Sequence, residues 1–144
     1  MGKATTDRRE NAARLHAYLI GQGIRFQMRP EPTEDLFFFE APGGMRGVAS
    51  LFATDLGARV TVYPDVAAFE DCTRAQCLAL VNAGEEIGIY AAAFFTEEGT
   101  LTLQYDLVSA KTGIAPDVIT RIVNDLFTQA ETLVSLARRT ARAQ

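Results

Sequence analysis

The chain has no tryptophan, one histidine (His16) and two cysteines (Cys72 and Cys77) in 144 residues. A single histidine excludes any mechanism that needs two imidazoles, and with two cysteines it leaves a four-ligand zinc site of Cys and His one short, with no second cysteine pair. Cys72 and Cys77 are five apart, a spacing that puts them on different faces of a helix, and they read as reduced thiols. No run of about 18 apolar residues is present to span a bilayer. Met1 to Glu10 lacks the apolar core of a signal peptide, so a cytoplasmic protein is expected. The glycines form neither a GxxxxGK[ST] phosphate loop nor a GxGxxG fingerprint. Gly21-Gln22-Gly23 follows a helix, whereas a phosphate-binding fingerprint follows a strand.

What is present is an ordinary globular composition, 48% hydrophobic and 22% charged. It fits one domain over residues 1–144, with a tail past Thr140 expected to fray. The net charge of −4 is unevenly spread. Residues 1–30 hold six basic and two acidic groups, net +4; residues 31–110 hold three and thirteen, net −10; residues 111–144 hold five and three, net +2. An acidic middle repels phosphate, so nucleic acid could approach only the ends. A partner on the sheet region should accordingly be neutral or basic.

Periodicity gives the elements. A helix is expected from Asp7, with Ala12, Leu15 and Leu19 on one face and Gly21 and Gly23 ending it. Ile24, Phe26 and Met28 alternate with Arg25, Gln27 and Arg29 as a half-buried extended segment, and Pro30 to Asp35 reads as a rigid acidic loop. Leu36 to Phe39, Arg46 to Ala53 and Arg59 to Tyr63 then read as strands joined by short turns, which implies an antiparallel meander. A helix follows from Asp71 or Thr73 to about Asn82-Ala83-Gly84. Two strands, Ile87 to Thr96 and Thr100 to Ser109, flank a hairpin turn at Glu97-Glu98-Gly99. In the second, Leu101, Leu103, Tyr105 and Leu107 share one face, and Thr102, Gln104 and Asp106 the other, wet or partner-facing, side. Ile114 and Ile119 staple a last helix that opens at Pro116, with a stripe of Ile119, Ile122, Val123, Leu126, Leu133 and Ala137. The fold class is α+β: an antiparallel sheet with helices mainly on one face, in the order α-β-β-β-(β)-α-β-β-α, the first strand being the weakest signal.

No catalytic constellation emerges. Glu85-Glu86 and Glu97-Glu98 are paired carboxylates beside glycine, the pattern of solvated turns. His16 reads as an ordinary, partly exposed histidine on the first helix. More informative are two aromatic runs, Leu36-Phe37-Phe38-Phe39 and Ile89 to Phe95, which are apolar on both strand faces. Either both faces are covered within the chain or one is an interaction surface.

The segment Leu78 to Ala137 resembles the YbjN family, described as bacterial sensory transduction regulators. The resemblance is carried by Leu80-Val81-Asn82, the strand from Ile89, Glu97-Glu98-Gly99, Leu101-Thr102-Leu103-Gln104-Tyr105-Asp106-Leu107 and Gly113-Ile114-Ala115-Pro116-Asp117. Where family members often carry a second asparagine and an aromatic, this chain has Ala83-Gly84-Glu85, which leaves Asn82 as a helix-end cap. The resemblance implies a fold similar to type III secretion chaperones, in which α+β protomers pair and hold an extended client segment, with no enzyme activity and no cofactor. The function expected is therefore a homodimeric, chaperone-like or adaptor-like protein-binding module that uses its sheet. Phe37, Phe39, Tyr63, Tyr90 and Phe94 are its candidate client contacts, and Cys77, Leu80 and Val81 its candidate dimer interface. The alternatives are a small-molecule or lipid carrier with an apolar cavity, and a nucleic-acid-associated regulator using Arg8, Arg9, Arg138, Arg139 and Arg142.

Overall fold

Alternation through the first half of the chain builds a sheet, and the two amphipathic ends close one side of it. The structure is a computed structural model and describes residues 2–41, 44–52, 57–64, 75, 79, 92–95, 101–107 and 114–142. Helix α1 (Gly2–Gly21) precedes strands β1 (Gln27–Pro30), β2 (Glu34–Glu40), β3 (Arg46–Phe52) and β4 (Ala58–Tyr63). Strands β5 (Ala92–Phe95) and β6 (Leu101–Leu107) and helix α2 (Pro116–Arg142) follow. All neighbouring strands pair antiparallel in one six-stranded sheet, ordered β1-β2-β3-β4-β6-β5. The α+β class and the strand meander thus stand. Of the expected middle helix, Ala75 and Ala79 have helical backbone. The rest of it, Cys77, Leu80 and Val81 included, lies outside the described residues.

Register puts Phe37, Ala49 and Val60 in one cross-strand row and Phe39, Gly47, Val62 and Leu103 in the next, all facing the helices. These side chains are buried with Leu15 and Leu19 of α1 and with Ile119, Val123, Leu126 and Leu133 of α2 in one core. Helix α2 lies over β4, flanked by β3 and β6, and α1 lies over β2 and β3. Close approach of α2 depends on Gly47, where an added Cβ would stand 3.0 Å from Phe127 Cζ. Ile114 and Ile119 are both buried around Pro116, as a staple requires. The stripe of α2 is also wider than the sequence suggests: Phe127, Ala130 and Val134 are buried too.

Three departures have physical causes. First, α1 begins at Gly2, not Asp7, because Asp7 is a good cap but no helix breaker and nothing between Lys3 and Thr6 stops the helix. Second, the acidic loop is a hairpin. Glu31 N–H donates to Glu34 O at 2.8 Å across the two-residue link Pro32-Thr33, so Pro30 belongs to β1 and Asp35 to β2. Third, Thr102 is buried rather than wet, since it sits in an inner strand paired with Phe94 of β5, and its hydroxyl finds no hydrogen-bond partner.

The end of α1 is a Schellman motif. Ile24 N–H reaches Leu19 O at 3.0 Å and Gly23 N–H reaches Ile20 O at 3.1 Å, with Gly23 at φ +68°. Arg8 and Asp35 anchor the other end, buried together with Nε 3.4 Å from Oδ2 and side-chain exposures of 9% and 7%. That contact falls short of hydrogen-bond geometry at Nε, but Arg8 Nη1 donates to Pro32 O at 3.1 Å. Asn11, also buried, accepts from Ile114 N–H at 3.3 Å and from Arg14 at 2.7 Å, tying α1 to the entry of α2.

Two stability measurements follow. Gly23→Ala has free space for its methyl group, yet the left-handed φ should cost about 1 kcal/mol in a urea titration. Asp35→Asn, which strands a buried guanidinium, should cost about 3–5 kcal/mol, whereas Arg8→Met with Asp35→Leu should restore most of it.

Candidate interaction surface

The outer face of the sheet is the side the helices leave uncovered. On it, Arg29, Leu36, Ser50, Arg59 and Asp106 form one cross-strand row, and Gln27, Phe38, Val48, Thr61 and Gln104 the next. This face is largely self-satisfied. Arg59 Nε meets Asp106 Oδ1 at 2.8 Å across β4 and β6. That hydrogen bond, outweighing slight desolvation, pushes the Arg59 guanidinium above its ordinary value, so it stays protonated. Arg29 lies over the Phe38 ring, 5.2 Å from its centroid, and Leu36 is buried. The face carries Arg29, Arg46 and Arg59 against Glu34, Glu40 and Asp106, a balance of charge.

The candidate contacts divide. Phe37 is fully buried and Phe39 nearly so, both under the helices, and their expected role as client contacts is corrected to that of core side chains. The reason is parity: Leu36 and Phe38 took the outer face. Tyr63 stands on the outer face at 41% exposure. Phe94 pairs with Thr102 in the ladder, and Tyr90 lies outside the described residues. The basic ends also divide. Arg8 is buried in its ion pair and unavailable to phosphate, a second correction. The Asn11–Ile114 contact sets α1 beside the start of α2. Arg138 and Arg139 lie 22 and 23 residues beyond Pro116, the first residue of α2, and so ~33 Å along the helix at 1.5 Å per residue. The arginines do not form one patch.

A different margin emerges where α1 meets Phe26, on the approach to β1. The described residues hold three exposed large hydrophobic side chains, and two belong here: Ile20 at 61% and Met28 at 38%. His16 meets Phe26 edge-on, with centroids 5.2 Å apart, and Phe26 in turn packs on Phe37 at 5.9 Å. Ile20 is one helical turn beyond His16, and Met28 is two residues beyond Phe26, so the two pairs line the same margin. Phe26 and Ile24 are half-buried. β1 is one edge strand of the sheet, β5 being the other, and all four residues of β1 are exposed.

Among the described residues, no strand pairs with the outer side of β1. Glu31 and Glu34 are a hydrogen-bonded pair. Antiparallel pairs alternate, so Arg29–Leu36 and Gln27–Phe38 are also bonded pairs, and Met28 and Pro30 turn their polar groups away from β2. Pro30 therefore loses no ladder bond, as an edge strand requires. Ile20, Met28 and the outward polar groups were missed in the sequence. The available signal was Ile20, which lies off the stripe of Ala12, Leu15 and Leu19.

No described helix is long and apolar enough to cross a membrane, and no three His, Cys, Asp or Glu residues among those described are placed to hold a metal ion. The chain significantly matches no protein-family model, no curated protein and no solved structure.

A circular dichroism comparison checks the division of aromatics. Tyr63→Asp should leave stability within about 0.5 kcal/mol. Phe37→Asp should unfold the protein, because it places an unpaired carboxylate in the core.

Proposed function

We propose that the protein is a non-enzymatic binding module that holds an extended segment of another protein by adding it to the sheet, in the manner of a chaperone or adaptor, and that it works as a homodimer. The observation that carries the reading is the α1–β1 margin. An outermost strand with outward-facing polar groups lies beside exposed Met28 and Ile20 and half-buried Phe26. Strand addition uses those two components, backbone hydrogen bonds for affinity and alternate apolar pockets for selectivity. The resemblance of Leu78–Ala137 to the YbjN family, with its chaperone-like fold, supports the same function. The site differs from the aromatic set named from the sequence, since Phe37 and Phe39 are core residues.

The test is affinity capture from native cell extract with mass spectrometry, run on the natural chain, Ile20→Asp and Tyr63→Asp. Light scattering on the purified protein runs alongside. The reading expects a protein partner that Ile20→Asp loses and Tyr63→Asp keeps, and a dimer at micromolar concentration. A partner retained by Ile20→Asp places binding elsewhere.

A further inference from the structure

Resting on that reading, we infer that the α1–β1 margin selects an acidic extended segment, with apolar side chains at alternate positions between flanking carboxylates. The chain as a whole is acidic, at −4, and its middle is more so. β1, however, belongs to the basic first thirty residues and lies at the rim of the sheet, next to the helix from that same segment.

Three arginines flank this margin. Arg9 is exposed on α1 two turns before His16, and so on the side that faces Phe26. Arg29 is exposed on the outer side of β1, and Arg25, four residues before it on the approach to the strand, is exposed too. The one carboxylate paired into this margin is Glu31, 2.7 Å from Arg29 Nε. The remaining balance is positive. Between Arg9 and Ile20, the exposed Ala13 and His16 complete the side of α1 that an added strand would face.

Geometry dictates the pattern of the segment. A strand laid against β1 receives the Met28 N–H and donates to the Met28 and Pro30 carbonyls. Its alternate side chains then fall on the Met28 and Ile20 side, while the others meet Arg25 and Arg29. Apolar residues suit the first set, and polar residues with carboxylates at the two ends suit the second. Pro30 offers no N–H, which limits the pairing to a few residues and leaves affinity to the apolar anchors and the charges.

The experiment measures binding of two dye-labelled nine-residue peptides by fluorescence anisotropy. Both alternate valine and threonine; one has paired glutamates at each end, the other paired lysines. The full chain should bind the glutamate peptide at least about tenfold more tightly, an advantage that shrinks as salt shortens the screening length from ~10 Å to ~3 Å. Arg25→Glu with Arg29→Glu should invert the preference. Met28→Pro, which removes an N–H the β1–β2 ladder does not use, should abolish binding of both peptides while the dichroism spectrum is retained. An amide shift confined to Phe26–Met28 in NMR titration gives a readout independent of the variants. Equal binding of the two peptides, or a glutamate-peptide affinity untouched by the charge swap, overturns the inference but leaves strand addition standing. Binding to neither peptide, with binding to vesicles of anionic phospholipid, overturns the inference in favour of a lipid surface. Binding to neither peptide together with loss of all captured protein overturns the proposed function as well.

Discussion

A guanidinium and a carboxylate have been taken out of water together where α1 meets β2. Neither tolerates that place alone, so Arg8 and Asp35 fix the helix both along its axis and about it. Arg8 lies on the same stripe as Ala12, Leu15 and Leu19, so docking the charge docks the apolar residues with it. Asn11 then fixes the side that faces α2. The opposite side, bearing Arg9, His16 and Ile20, is turned towards β1. The open margin is thus a result of how the helix is held.

The two faces of the sheet solve different problems. Towards the helices the strands present the small residues Gly47, Ala49 and Ala58 among larger ones, and at Gly47 this lets Phe127 of α2 lie close. Towards the outside, Arg59 is matched by Asp106 across β4 and β6, and Arg29 lies over the Phe38 ring. A surface that already pairs its own charges and covers its own ring has less to offer a partner than a strand with polar groups facing outwards. Function therefore falls to the rim of the sheet.

Elements with strict periodicity were legible in the chain. The alternation of β3 and β4, the stripe of α2, the staple at Pro116 and the glycine stop of α1 all appear where the residues imply. Parity in Leu36-Phe37-Phe38-Phe39 was also legible, but not which parity faces the helices, because both rows are apolar. Pro30 and Asp35 misled for a common reason. Proline is permitted in a strand only when its neighbours lie on one side, and a buried aspartate only when a distant cation meets it. Both conditions are tertiary. One clue was present: Arg8 sits in helical register with Leu15 and Leu19, which marks it as buried and therefore paired. The rim site was harder to see, since an edge is defined by what does not pair with it.

The contact between Asn11 and Ile114 joins residues 103 apart in the chain. During synthesis at about 5–20 residues per second, roughly 5–20 s separate the two. Within that interval α1 and then strands β1 to β4 are synthesised, α1 without its contact to the entry of α2 and the strands with their inner face waiting for α2. The first helix is thus made first and locked last. The growing chain carries its N-terminal helix as a provisional cover over the early strands, and the native arrangement is sealed only when the last helix begins.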